Sequence, residues 1–145
     1  MMMGIESLSS GFQMSIGTVM TILLIHFVGD FVLQTHEQAS NKSSSNRYLA
    51  LHVFNYSLFT AIGWFMFLPS HITFPWQECA PGHINVLWVF TITFVSHFAT
   101  DYFTSRWTKS LWEKKEVHDF FVAVGFDQFM HATQLFYMYA LLMGF

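Results

Sequence analysis

Charge is what this chain has least of. Lysine, arginine, aspartate and glutamate make up 10% of its 145 residues, against about 25% in an ordinary soluble domain. The net charge of −3 gives no basic surface for nucleic acid, so no nucleic-acid partner is expected. Cys79 is the single cysteine, which excludes an intrachain disulfide. The three prolines, Pro69, Pro75 and Pro81, all fall in one segment. With Trp76 and Gly82 that segment reads as an irregular interfacial loop.

Basic residues are missing from the N-terminal arm, from the 69–83 loop and from the C-terminus. All six fall in two places: Lys42 and Arg47, then Arg106, Lys109, Lys114 and Lys115. What fills the rest is hydrophobic, at 53% of the chain. Four apolar stretches run near 14–34, 48–68, 84–104 and 119–143. Each is about 20 residues, enough to cross about 30 Å of hydrocarbon as a helix. The expectation is an all-α, four-transmembrane-helix bundle forming one integral membrane domain over 1–145. The basic loops place both termini outside the cytoplasm by the positive-inside rule, in a multi-pass protein of the bacterial inner membrane. No basic residue precedes the first stretch, no small-residue cleavage site ends it, and it carries His26 and Asp30. It therefore reads as a span rather than a cleaved leader. Trp64, Trp76 and Trp88 suit an outer aromatic belt. The polar run 40–46 reads as a solvated loop. The 106–115 segment reads either as a short amphipathic helix on the inner leaflet or as a plain basic connection.

The polar exceptions inside these stretches carry the chemistry. His26 and Asp30 are four apart, as are His97 and Asp101, and Asp127 and His131 repeat the spacing in reverse order. His52 lies near the start of the second stretch. Residues four apart share a helical face. Ionisable groups at membrane depth are costly and tend to face an interior where they serve a function. Counted at about 1.5 Å per residue from the predicted inner ends, all seven lie about 5–18 Å deep. Clustering on the cytoplasmic side predicts one shared site opening that way.

Histidine with carboxylate suits a divalent transition metal, zinc first, with manganese or iron as alternatives. The candidate ligands are His26, Asp30, His52, His97, Asp101, Asp127 and His131, enough for one or two ions. Asp30, Asp101 and Asp127 are the candidate catalytic carboxylates, a bridging carboxylate activating water between two ions or an unligated one acting as base. The same pairs can instead satisfy one another as hydrogen bonds within a bundle. Gln34, Asn55 and Gln128 read as hydrogen-bonding support, and Gly29 as a close-packing position. His36, His71, His83 and His118 read as surface residues, and Asp119 as a charge in the first turn of the last helix.

His26-Phe27-Val28-Gly29-Asp30-Phe31 and His97-Phe98-Ala99-Thr100-Asp101-Tyr102 share H-F-x-x-D-aromatic, which suggests two parallel two-helix repeats. The stretch from His26 to Gln34 resembles the H-x-x-G-D-F-x-x-Q signature of an uncharacterised family of small bacterial and phage membrane proteins. His52, His97, Asp101, Asp127, Gln128 and His131 are similar to its other polar positions. In residue types and span placement the chain also resembles bacterial membrane-bound metal-dependent hydrolases. That likeness implies an intramembrane metal site. A site just beneath the inner headgroups suits a lipid-like or phosphoester substrate, with membrane lipid as the expected partner. A four-span bundle leaves room for a homo-oligomer that completes the site. Two other readings stand beside it: a proton or metal-ion transporter, and a non-enzymatic envelope protein with a structural polar network.

Overall fold

The computed structural model describes residues 14–68, 72–73 and 84–142. Five α-helices account for nearly all of them. They are α1 (Ile16–Phe27), α2 (His36–Asn41), α3 (Asn46–Phe67), α4 (Val86–Glu113) and α5 (Val117–Leu142). A short parallel pairing of Ile72–Thr73 with Ile84–Asn85 precedes α4. Helix α4 packs against α3 on one side and α5 on the other, while α1 packs mainly on α3.

Local signals set these boundaries. The Ser15 hydroxyl caps α1 by accepting from the Thr18 amide at 3.1 Å, filling one of the amide bonds that a helix start leaves open. Helix α1 does not stop at Phe27 but widens into one π-helical turn over Val28–Val32, marked by Leu33 N–H donating to the Val28 carbonyl at 2.9 Å. Thr35 then starts α2 with a reciprocal capping box to Gln38. Asn85 caps α4 through the Leu87 amide. A sharp turn through Lys115, in the left-handed region at φ 61°, joins α4 to α5. The Glu116 amide donates back to the Leu111 carbonyl there, as in a Schellman ending.

The arrangement of polarity is inverted relative to a soluble protein. Leu24, Phe54, Val95, Phe103, Val122 and Phe129 are exposed, while His52, His97, Asp101 and His131 are only 1–2% exposed. One end of the bundle is apolar throughout: Ile22, Ile25, Trp64, Val89, Leu135 and Met138 belong to one buried cluster. The other end holds the polar groups.

Several expectations change here. Among the described residues, only α3 and α4 are long and apolar enough to cross a membrane by those criteria. The Ile16–Val32 helix is apolar but shorter. Helix α5 has the length, at 26 residues, but Asp119, Asp127, Gln128, His131 and Gln134 dilute its apolar character. The 106–115 segment is neither a separate surface helix nor a loop, because α4 runs unbroken to Glu113. Ser40 and Asn41 are helical, closing α2. Trp64 lies in the core at 0% exposure, edge-on to Tyr139. Trp88 is exposed, and Trp76 lies outside the described residues. The two H-F-x-x-D copies differ in conformation, one crossing from α-helix into the π turn and the other wholly α-helical.

Gly29 sits where the π turn meets α3. A Cβ there would lie 3.0 Å from Tyr56 Cδ2 and 3.2 Å from Phe59 Cδ1. Gly125 on α5 has open space instead. Gly29→Val should lower stability by about 1–3 kcal/mol, the usual cost of overpacking, whereas Gly125→Ala should be neutral or mildly stabilising. Thermal unfolding of the two variants in detergent checks the contrast. Equal effects would mean that the contact of α1 with α3 is not tight.

Candidate metal centre

Three helices and one turn supply the polar cluster. The π turn places Asp30, α3 places His52, α4 places His97 and Asp101, and α5 places Asp127 and His131. Asp30 Oδ1 lies 3.1 Å from His52 Nε2 and 3.5 Å from His97 Nε2. Those two nitrogens are 3.3 Å apart. Asp101 Oδ2 approaches the same pair at 3.5 and 3.6 Å. The other oxygen of Asp101, Oδ1, lies 3.1 Å from His131 Nε2. Asp127 Oδ1 is 3.4 Å from that nitrogen and accepts from the Thr104 hydroxyl. Two groups, Asp30 with His52 and His97, and His97 with Asp101 and His131, have one ligand atom each within reach of a common ion. His97 belongs to both, and its ring stacks on that of His131 with centroids 4.0 Å apart.

The geometry fits a metal on two counts. Ligands about 2.0–2.1 Å from a tetrahedral ion lie about 3.3 Å from one another, and the Asp30–His52–His97 separations run from 3.1 to 3.5 Å. Asp30 Oδ1 is also buried without an aligned hydrogen bond, despite two imidazole nitrogens at its side. Those nitrogens are instead hydrogen-bonded to each other. No ion is part of this structure.

His26 is different. Its Nδ1 lies 2.8 Å from the Tyr56 hydroxyl and its Nε2 lies 3.0 Å from Gln128 Oε1. With Tyr56 O–H donating to Nδ1, Nε2–H donates to the amide oxygen, and the ring has no lone pair left for an ion. Asp30 Oδ2 is 4.0 Å away. His26 therefore positions Gln128, whose amide nitrogen reaches Asp127 at 3.0 Å and Asp30 at 3.4 Å. The Gln34 carboxamide sits 3.0 Å from His52 Nδ1. As placed, Gln34 Nε2–H donates to Nδ1 and the His52 proton lies on Nε2, facing Asp30 and Asp101. A flipped carboxamide would put its oxygen at Nδ1–H and free Nε2 as a ligand. Asn55 is exposed on α3 and supports nothing in the cluster; His36, His118 and Asp119 are exposed as well. His71 and His83 lie outside the described residues.

The residue that sequence reasoning missed is Lys42. It appears to be one more basic loop residue, but it caps the short α2 and turns inward. Its Nζ is 2.9 Å from Asp101 Oδ2, with the side chain 20% exposed. Burial alone pushes the ammonium down, but Asp101, Asp30 and Asp127 outweigh this and hold it above 10.5. A lysine raised on folding contributes stability that is fully present below its unfolded value and lost as pH climbs through the folded one. The Lys42 contribution is therefore intact across the neutral range. The Thr35–Gln38 capping box, a T-x-x-Q pattern, was the available sign that a helix forms there and re-aims the chain.

A polar cleft of about 140 Å³ opens beside the cluster, lined by Asp30, Gln34, Lys42, Asp101, Asp127 and Thr104 among others. The chain was then compared with known proteins. A family model described as a protein of unknown function, DUF3307, matches residues 18–144. The chain belongs to this family. No curated protein and no solved structure matches it. The DUF3307 match spans every residue of the cluster, from His26 to His131.

Tyr56 is fully buried and its hydroxyl bonds His26. Tyr56→Phe removes that donor and leaves Nδ1 unsatisfied, so it should cost about 1–3 kcal/mol. Chemical denaturation monitored by circular dichroism measures it. A change within error would mean that His26 has another partner.

Proposed function

We propose that this DUF3307 protein is a four-span membrane protein of the bacterial inner membrane. In this reading the cluster binds a divalent transition metal, zinc first, and hydrolyses a lipid-like phosphoester from the cytoplasmic side. The observation that carries this reading is the convergence of buried Asp30, His52 and His97 at ligand spacing, with Asp30 Oδ1 left without an aligned donor.

Charge supports it. Asp30, Asp101 and Asp127 bring three negative charges into the cluster against one lysine, Lys42. With the imidazoles neutral, a divalent ion balances the remaining two, and unbalanced charges at such burial are strongly unfavourable. The exposed apolar flanks of α1, α4 and α5 suit lipid as solvent, even where a helix such as α5 is diluted by its inward polar face. Among the described residues the cluster at the far end is made of apolar and aromatic side chains, which favours hydrolysis over transport.

Asp30, His52 and His97 would hold one ion. Asp101 and His131 would orient it or help to hold a second, the single lone pair of His97 Nε2 serving one ion only. When bound, such a metal supplies Lewis acidity, acidifying water and polarising a phosphoryl oxygen. Asp127 stands outside both triads, lines the cleft and is 16% exposed at its side chain. That position suits a general base that takes a proton from water at Oδ2. Thr104 and Gln128 hold its carboxylate in place.

Metal analysis by mass spectrometry on detergent-purified protein tests this. One or two equivalents are expected in the wild type. His97→Ala, which strikes both triads, should lose all metal, and His131→Ala at most one equivalent. Asp127→Asn should keep the metal and lose hydrolysis of a phosphoester by about 10²-fold or more. A wild type that stays metal-free after incubation with zinc, manganese or iron would overturn the reading.

A further inference from the structure

The polar cleft is not a closed chamber. A second and larger groove of about 450 Å³ lies next to it, and the two share Lys42, Ser105 and Thr108. The groove continues outward past Lys109 to Trp112, Phe120 and Phe121. Trp112 and Phe121 are exposed, and Trp112 meets Phe120 with ring centroids 5.1 Å apart. A path therefore runs from an aromatic outer rim, past two lysines, to the carboxylates and imidazoles of the centre.

Lys42 stands at the junction. It is the one lysine or arginine among the described residues that contacts the cluster, and it lines both spaces. Its partner there is Asp101 Oδ2, the oxygen that also faces His52 and His97. The rim chemistry is that of an interface: aromatic rings beside lysines suit the boundary between acyl chains and headgroups. The polar cleft alone is too small for a whole amphiphile, but about 140 Å³ admits a phosphate-sized headgroup.

We infer that this groove is the lateral access route and recognition site for an anionic phosphate headgroup of an inner-leaflet lipid, anchored by Lys42. The lipid's backbone lies along Trp112, Phe120 and Phe121, and its phosphate shares the Lys42 ammonium with Asp101 at the junction of the two spaces. The inference rests on the hydrolase reading for its purpose, but binding itself does not require that the centre hold metal.

The test is equilibrium binding of a fluorescent short-chain phosphatidic acid to the detergent-purified full chain. Phosphatidylcholine of the same chain length and inorganic phosphate serve as competitors. The wild type should retain phosphatidic acid, and phosphatidylcholine should compete at least about tenfold more weakly. Lys42→Met should weaken binding by about 10–100-fold, the worth of one charge-assisted contact, and Lys42→Arg should restore most of it. Trp112→Ala, on the exposed rim, should weaken lipid binding while leaving competition by inorganic phosphate unchanged. If Lys42→Met does not fold, Trp112→Ala and Lys109→Gln carry the test, and unaltered lipid affinity in both overturns the inference. Equal affinity for both lipids overturns it too. Inorganic phosphate that binds as tightly as the lipid, with Trp112→Ala silent, identifies a free-anion site and overturns the lipid assignment. Metal content is measured on the same samples. Metal-free protein that binds phosphatidic acid through Lys42 sustains this inference while the hydrolase reading fails. Metal-loaded protein indifferent to the lipid does the reverse.

Discussion

The structure depends on keeping Asp101 neutralised in a place that water does not reach. At 1% exposure, a carboxylate is tolerated only with partners on every side. Asp101 recruits them from four elements: Lys42 after α2, His52 on α3, His97 on its own helix and His131 on α5. That demand explains features that otherwise look unrelated. The short α2 turns the chain so that Lys42 reaches inward. Helix α4 lies between α3 and α5 because one carboxylate serves both neighbours. Asp30 comes to the opposite side of the His52–His97 pair through the π turn, which rotates residues differently from an α-helix and is a frequent feature of functional sites.

Packing follows the same division. The apolar cluster around Trp64, Ile22 and Val89 fixes one end of the bundle, so the polar end can remain open without loosening the whole. Gly63 lets α3 approach α1 closely, since a Cβ there would meet Ile25 at 3.0 Å. Gly29 does the same beside the cluster against Tyr56. Tyr56 links the two halves: its ring stacks on His97 with centroids 4.0 Å apart, and its hydroxyl holds His26. A rigid apolar end and a satisfied layer of Tyr56, His26 and Gln128 thus support a cluster whose innermost atoms are left unsatisfied.

Much of this is legible in the sequence, for physical reasons that differ by residue. Apolar periodicity reveals long helices, so α3 and α5 lie within a few residues of the expected stretches. Polar residues embedded in apolar runs mark the cluster because burial makes them expensive. Spacing of four also pairs His97 with Asp101 on one helix face. It brings His26 to Asp30 as well, at the longer distance of 4.0 Å, with the π turn beginning between them. Nothing in the types of Val28 to Val32 announces that turn; it answers to the packing of Gly29 on α3. Lys42 is hidden for another reason. A lysine in a polar loop is usually solvated, and only the tertiary position of Asp101 makes this one turn inward. Trp64 likewise reads as an interfacial residue until the bundle encloses it.

The protein contains its own comparison between a histidine held by neutral partners and histidines that face carboxylates and each other. His26 has one aligned partner for each ring nitrogen, at 2.8 and 3.0 Å, which is what a purely structural hydrogen-bond network produces throughout. His52 and His97 instead bring Nε2 to within 3.3 Å of each other while both face Asp30 and Asp101. Two neutral imidazoles can share only one proton across that contact, and protonating both sets two cations against each other. Neither arrangement satisfies Asp30 Oδ1, which has no aligned donor. A single divalent ion among these atoms removes the conflict, because it accepts lone pairs from both nitrogens and charge from both carboxylates. Hydrogen bonds account for most of the network, and Asp30 Oδ1 is the atom that they leave to a ligand role.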